Sequence, residues 1–430
     1  MYVPIKIKFI ASLALGTGWF FLSTWLALPW IQDFSELVGP VIAVVVIFFL
    51  ALLPGFLNFF ILAAYLLDRR PKPKAVKAWP DISLLIAALN EENLIEDTID
   101  SIMKQDYQGN MEIIVIDNGS SDKTWEILNH LKNEKLVLLQ ETKRGKSYAL
   151  NKGIAFAKSD YIVTVDADTY LQRDALTQLV QRQLNAPSHT AAVAGSVYVK
   201  NSRESFMTRL QEWDYFHAIA TIKRIQSLFQ GTLVAQGAFS IYKKNLIQEV
   251  GGWPHIIGED IVLTWALLEK GYRIDFAEDA ISFTTVPTTY KGFFQQRSRW
   301  ARGMLEAFRY HPKVLITPKL PIFFIYWDLF FPGLDLIYFV AFIPGAILAC
   351  FGYYFIAGPM TLAVLPITLL LHTIFYIRQK KLFKKNNLKV RRNKFGFIMF
   401  ILFYYAMMVP ACLHGYSSEL LRITGKWGTK

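Results

Sequence analysis

Asp166 and Asp168 are the residues best placed to do chemistry. They end the stretch Tyr-Ile-Val-Thr-Val-Asp-Ala-Asp at positions 161–168, where five strand-forming residues run into two carboxylates. Side chains two apart on a strand share a face, so both carboxylates would meet one cation. Hard oxygen ligands suit Mg²⁺ or Mn²⁺, and such an ion usually also holds substrate phosphates. An Asp-x-Asp alone is common, and its ordinary alternative is a polar strand end. The acidic groups ordered around it raise its weight.

Asp117 ends an apolar run at 111–116 and opens the turn Asp-Asn-Gly-Ser-Ser-Asp. It would contact a base or ribose, although taken alone a turn residue is the better reading. Arg144 and Lys146 flank Gly145 where a helix begins, an arrangement suited to a diphosphate and equally found in exposed turns. Glu259 and Asp260 open another helix. One of them would act as general base on an acceptor hydroxyl, or both would simply satisfy the positive helix end.

Gln295, Arg297, Arg299 and Trp300 lie on one amphipathic segment, 291–310. Arg299 would stabilise the charge of a leaving diphosphate, and Trp300 offers a flat face to a sugar ring. The competing reading is a basic helix on anionic lipid, with Arg297 and Arg302 doing no more than that. Asp328 and Asp335 fall in apolar sequence, where ionisable groups are costly; they face a polar cavity or sit at an interface.

The elements that must position these groups alternate. Short apolar runs at 82–88, 111–116, 136–139 and 161–165 are each followed by a helical pattern or a turn. That alternation predicts a mostly parallel sheet covered by helices on both faces. The ligand site then lies at the carboxyl ends of the strands, where Asn90, Asp117 and Asp166 fall. A further strand is expected at 191–199. The stretch 203–229 reads as an amphipathic helix, either on the membrane surface or covering the domain.

The chain has 430 residues, 53% of them hydrophobic, with a net charge of +12. Residues 9–30 and 41–67 are each long enough to cross about 30 Å of hydrocarbon. The basic run 69–77 follows the second, which predicts a cytoplasmic amino terminus and a cytoplasmic central domain. Residues 321–377 are apolar almost throughout. Breaks at Pro332-Gly333 and Ala357-Gly358-Pro359 predict an interfacial piece, a span over 334–355 and a return span over 360–377. Nine Lys or Arg fill 378–394, a cytoplasmic loop, before a last apolar run from Phe395. The positive charge beside apolar segments points to a lipid bilayer and not to nucleic acid. Cys350 and Cys412, both in apolar runs, predict neither a disulfide framework nor a sulfur metal site.

Asn90-Glu91-Glu92, Asp117 to Asp122, Arg144-Gly145-Lys146, Asp166-Ala167-Asp168, Gly258-Glu259-Asp260 and Gln295 to Trp300, in that order, resemble the processive family 2 glycosyltransferases. These include poly-N-acetylglucosamine, hyaluronan, chitin and cellulose synthases. The Gln-x-x-Arg-Trp element is the most specific part. The resemblance implies a GT-A-like α/β domain inserted between amino- and carboxyl-terminal transmembrane helices and amphipathic interface helices. It implies a multi-pass enzyme of the cytoplasmic membrane, with UDP-N-acetylglucosamine as donor, a growing polysaccharide as product and a small accessory membrane subunit as a candidate partner. By the same resemblance Asn90, Glu91, Asp117, Lys146 and Asp166 hold the nucleotide, and Asp166 and Asp168 hold Mg²⁺ or Mn²⁺. Asp260 is the base with Glu259 beside it, and Gln295, Arg299 and Trp300 hold the diphosphate and acceptor. Residues 213–226 and 259–303, notably Lys223, Arg224 and Trp265, are most similar to the poly-N-acetylglucosamine synthases. The tail Lys426-Trp427-Gly428-Thr429-Lys430 resembles the gating element of hyaluronan and chitin synthases, which makes Trp427 a gating residue. A cytoplasmic Trp427 requires 395–421 to be re-entrant or interfacial. Expected domains are two transmembrane helices and a basic linker (1–78), a catalytic domain (79–290), interface helices (291–331) and a carboxyl-terminal membrane region (332–430).

Overall fold

The computed structural model describes residues 3–71, 73–131 and 133–423. The chain divides into two compact units. One comprises 72–325 with 415–430, and the other 1–71 with 326–414.

The first unit is built on one eight-stranded sheet. Its strands are β1 (Ile82–Ala88), β2 (Met111–Asp117), β3 (Leu136–Gln140), β4 (Tyr161–Val165), β5 (Thr169–Leu171), β6 (Thr190–Val199), β7 (Phe239–Lys243) and β8 (Arg273–Thr284). Their spatial order is β3-β2-β1-β4-β7-β6-β8-β5. The first four run parallel, joined by helices Ile95–Met103, Thr124–Leu131 and Lys146–Phe156. β7 is reversed between β4 and β6, and β5 is reversed against β8. Every residue of β1 is buried, as expected for an inner strand covered on both faces.

β4 has the bounds of its apolar run, 161–165, so the two aspartates lie beyond the strand. β4 stops at Val165, and Asp166 to Asp168 form a turn closed by the Thr169 N–H on the Asp166 carbonyl at 3.0 Å. Strand alternation therefore does not set the relation between the two aspartates; the turn does. β5 and the twelve-residue β8 carry no motif and were not legible as strands. Residues 206–228 are largely buried helix, with Leu210, Trp213 and Phe216 in the core. The domain-covering alternative is the one realised.

Among the described residues, four helices are long and apolar enough to cross a membrane: Ile5–Val38, Pro40–Leu67, Ile322–Ala349 and Lys394–Leu420. Pro332 does not break the third. At Gly333 a Cβ would lie 2.8 Å from the Phe49 ring, so the Pro-Gly pair marks a close approach between helices. Lys394–Leu420 is helical throughout, with a π-helical stretch at Phe400–Tyr404 and Pro410 inside it. The basic stretch is helical up to Lys385. Its first residue, Arg378, is an anchor, donating to the Tyr65 and Asp68 carbonyls at 2.7 and 3.0 Å. Asp335 is buried and accepts from Tyr405 Oη at 2.5 Å, a polar link between two of the apolar helices. Cys350 is exposed and Cys412 is buried.

Candidate active site

The carboxyl ends of β1, β2 and β4 share one sheet edge with the start of β7. Two loops there are stitched together by side chains. Asn90, in the left-handed region at φ 57°, accepts from the Ser121 N–H at 2.8 Å, and its own N–H donates to Ser120 Oγ at 3.0 Å. The Glu91 N–H donates to Thr124 Oγ1 at 2.8 Å. Asp117 is 2% exposed and accepts from the Ser120 N–H at 3.3 Å, so the structure gives it the turn contact. Asn118, which sequence reading did not single out, accepts from the Gly145 N–H at 2.7 Å and donates to the Lys143 carbonyl at 2.7 Å. It fixes the loop that delivers Lys146. Gly145 has φ 140°, a conformation that suits glycine.

Lys146 is the centre of the charged cluster. Its Nζ lies 2.5 Å from Asp166 Oδ1 and 3.7 Å from Glu259 Oε1. Burial alone would pull this ammonium down, but Asp166 and Glu259 override it and hold it protonated above the usual lysine range. Gly237 makes room: a Cβ there would stand 2.6 Å from Lys146 Nζ.

Glu259 and Asp260 head the helix Glu259–Glu269. Glu259 is buried, and that burial pushes its carboxyl above the usual range while Lys146 opposes the rise. Asp260 is half-buried. It accepts from the Gly237 N–H at 3.3 Å and the Ile261 N–H at 2.8 Å, so it both faces the β7 loop and satisfies its own helix end. Thr264 Oγ1 accepts from the Ala235 N–H at 2.9 Å and donates to the Asp260 carbonyl at 2.6 Å, bracing the two segments.

Arg299 is half-buried, which pulls its guanidinium down, while the charges of Glu259 and Asp166 pull it up. Trp300 is 44% exposed. Gln295 is exposed. Counting back from Arg299-Trp300, the Gln-x-x-Arg-Trp spacing falls on Gln296, which is half-buried. Arg297 and Arg302 are not lipid contacts: Arg297 pairs with Asp214 at 2.8 Å, and Arg302 with Glu419 at 3.1 Å. Trp427 lies outside the described residues. The structure thus brings Lys146, Asp166, Glu259, Asp260 and Arg299 into one electrostatic cluster. Asp117, Asn90 and Glu91 form a second group on the same edge.

Asp168 accepts from Thr284 Oγ1 at 3.1 Å. Among the described residues no three His, Cys, Asp or Glu are grouped to cage an ion. Two aspartates in one turn are hard donors, and Mg²⁺ or Mn²⁺ is commonly held by one or two carboxylates completed by substrate phosphates. The donor set fits that arrangement.

Known proteins agree with this reading of the fold. Residues 83–251 match the model of Glycosyl transferase family 2. Over 269 residues the chain is 34% identical to the poly-beta-1,6-N-acetyl-D-glucosamine synthase of Staphylococcus aureus strain MSSA476, covering 61% of this chain and 64% of that protein. It is 35% identical over 252 residues to the protein of the same name from Staphylococcus epidermidis, covering 57% of this chain and 60% of that one. The matches therefore span less than two thirds of these relatives' own length. A mannosyltransferase from Pyrobaculum calidifontis, solved with GDP-Man and Mn²⁺, superposes with a TM-score of 0.58 at 20% identity, over 98% of this chain and all of that one. At that identity the likeness concerns the fold. The mixed, mostly parallel sheet is GT-A-like, and residues 83–251 of the chain are similar to family 2 glycosyl transferases.

Proposed function

We propose that the chain is an inverting, processive glycosyltransferase of the cytoplasmic membrane. It polymerises N-acetylglucosamine from UDP-N-acetylglucosamine into a β-linked polysaccharide, poly-β-1,6-N-acetylglucosamine, and exports it through its own membrane helices. The observation that carries the reading is the cluster of Lys146, Asp166, Glu259, Asp260 and Arg299 at the carboxyl edge of the parallel strands. The names of the Staphylococcus relatives support the sugar and linkage.

In this reading Asn90, Glu91 and Asp117 shape the nucleotide pocket, and Lys146 and Arg299 face the diphosphate. Asp260 accepts the proton of the acceptor hydroxyl as its oxygen bonds to the anomeric carbon. The bond from that carbon to the β-phosphate oxygen breaks, and its electron pair leaves on UDP. Attack opposite the leaving group converts an α-linked donor into a β-linked product. Asp166 and Asp168 would hold Mg²⁺ or Mn²⁺, which supplies charge neutralisation of the leaving diphosphate. Glu259, buried beside Lys146, keeps the lysine in place. Trp300 receives the terminal sugar of the acceptor.

The test is incubation of the purified protein with labelled UDP-N-acetylglucosamine, UDP-glucose and UDP-glucuronic acid, singly and in pairs. Product length and digestion by linkage-specific hydrolases are then read. Long products from UDP-N-acetylglucosamine alone, cut only by a β-1,6-specific enzyme, are expected. A requirement for two donors would point to a hyaluronan-type synthase, β-1,4 cleavage to a chitin-type one, and a single sugar on a lipid acceptor to a non-processive transferase.

A further inference from the structure

Trp300 is half exposed, yet it is backed by a built arrangement. The Arg297 guanidinium carbon lies 4.2 Å from the Trp300 ring centroid, 5.2 Å from that of Phe293 and 6.0 Å from that of Tyr215. Arg297 is 5% exposed and its Nη2 is 2.8 Å from Asp214 Oδ2. Arg297 and Trp300 are three apart on the helix Tyr290–Tyr310 and so share a face. Asp214 and Tyr215 come from a different helix. As successive residues they would diverge by about 100° on a regular helix, yet both address Arg297. They lie in a π-helical turn, Asp214–Ile219, and such local departures from α-helix recur at functional sites.

A buried ion pair is by itself a weak contributor to stability, because desolvation offsets the attraction. Orientation explains its presence better. A guanidinium is flat and stacks on an indole, which an ammonium does not do. The carboxylate of Asp214 takes up the charge that would otherwise stand unpaired.

We propose that the Asp214–Arg297 pair is a positioning device for Trp300. The guanidinium backs one side of the indole and fixes its tilt, leaving the exposed side for the terminal sugar of the growing chain. The inference rests on the glycosyltransferase reading and on Trp300 meeting the acceptor. Arg297 acts through Trp300 and touches no substrate.

Four proteins test it: wild type, Trp300→Ala, Arg297→Lys, and the double exchange Asp214→Arg with Arg297→Asp. Rate, donor KM, product length and melting temperature are measured for each. Arg297→Lys keeps the charge and loses the plane. It should keep the wild-type donor KM, lose about tenfold in kcat and give shorter products. The exchange keeps an ion pair but sets a carboxylate beside the indole. It should melt near wild type and still give short products, as Trp300→Ala does. A pair with only a structural role predicts wild-type products wherever an ion pair is kept, and wild-type rate and length in Arg297→Lys or in the exchange would overturn the proposal. Should the exchange not fold, Arg297→Lys decides alone. Wild-type products from Trp300→Ala would instead remove the acceptor role of Trp300, and absence of sugar transfer in wild type would remove the functional reading beneath it.

Discussion

The Lys146 ammonium sits 2.5 Å from Asp166 Oδ1, joining the start of one helix to the turn after β4. Glu259 shares the same nitrogen from a third element. Lys146→Met would leave two carboxylates without their cation. Breaking a buried pair costs roughly 3–5 kcal/mol, and the partial exposure of Asp166 brings this to about 2 kcal/mol. The variant should melt several degrees lower and bind UDP at least about tenfold more weakly by calorimetry. Unchanged UDP affinity would take Lys146 out of the nucleotide site.

Gly237 offers a gentler probe of the same contact. A Cβ there would approach the end of the Lys146 side chain to 2.6 Å, and a flexible side chain can yield. Gly237→Ala should therefore fold with near wild-type stability while pushing Lys146 away from Asp166. The expected signature is weaker donor binding, raised KM and little change in melting temperature. A large loss of stability with normal KM would mean that the glycine serves the backbone alone.

Asp260→Asn keeps the shape and the hydrogen bond from the Gly237 N–H but removes the proton acceptor. General base catalysis typically supplies about 10²–10⁴-fold, so kcat should fall within that range while UDP binding persists. If turnover survives, Glu259 becomes the group to test. Its burial against Lys146 makes it the less available of the two.

The inner strands were legible because each is a short apolar run that stops at a polar turn. Ile82–Ala88 begins and ends where its sequence pattern does. The site residues were legible for the same reason, since a parallel sheet delivers its strand ends to one edge. β8 was not legible, because its acidic residues interrupt any alternation: Asp275 is buried with Arg182 at 2.9 Å, Arg273 at 3.5 Å and the Ser227 hydroxyl as partners. The Asp214–Arg297 contact was equally hidden, since nothing in a basic amphipathic segment reveals a carboxylate from a distant helix. Pro332 misled for a physical reason. In apolar surroundings the helix keeps its hydrogen bonds around a proline more readily than it would in water.

The Asp166 and Asp168 pair predicts dependence on a divalent ion. Chelation should abolish sugar transfer, and Mg²⁺ or Mn²⁺ should restore it. Asp168→Asn should raise the ion concentration needed for half-maximal rate by about tenfold or more, because one of two charged ligands is lost. An unchanged ion requirement in Asp168→Asn would assign the ion elsewhere.

Lys223 carries a prediction about stability. Lys223 is half-buried, and its ammonium donates to the Val234 carbonyl at 2.6 Å. Burial pulls its pKa down to about 7, with the charge of Asp260 opposing the fall. In the unfolded chain the same group titrates near 10.4. Between those values the unfolded chain binds more protons than the native one. This group therefore makes stability rise with pH through that window and fall as pH drops towards 7. Lys223→Met removes the dependence. Compared with wild type, the variant should be at its relative best near pH 7, and the difference should shrink by up to about 1.4 kcal/mol per unit as pH rises towards 10. Melting curves of the two proteins at half-unit intervals from pH 6.5 to 9.5 check this. Parallel curves would mean that the ammonium stays charged in the folded protein and that Val234 and Asp260 together stabilise it.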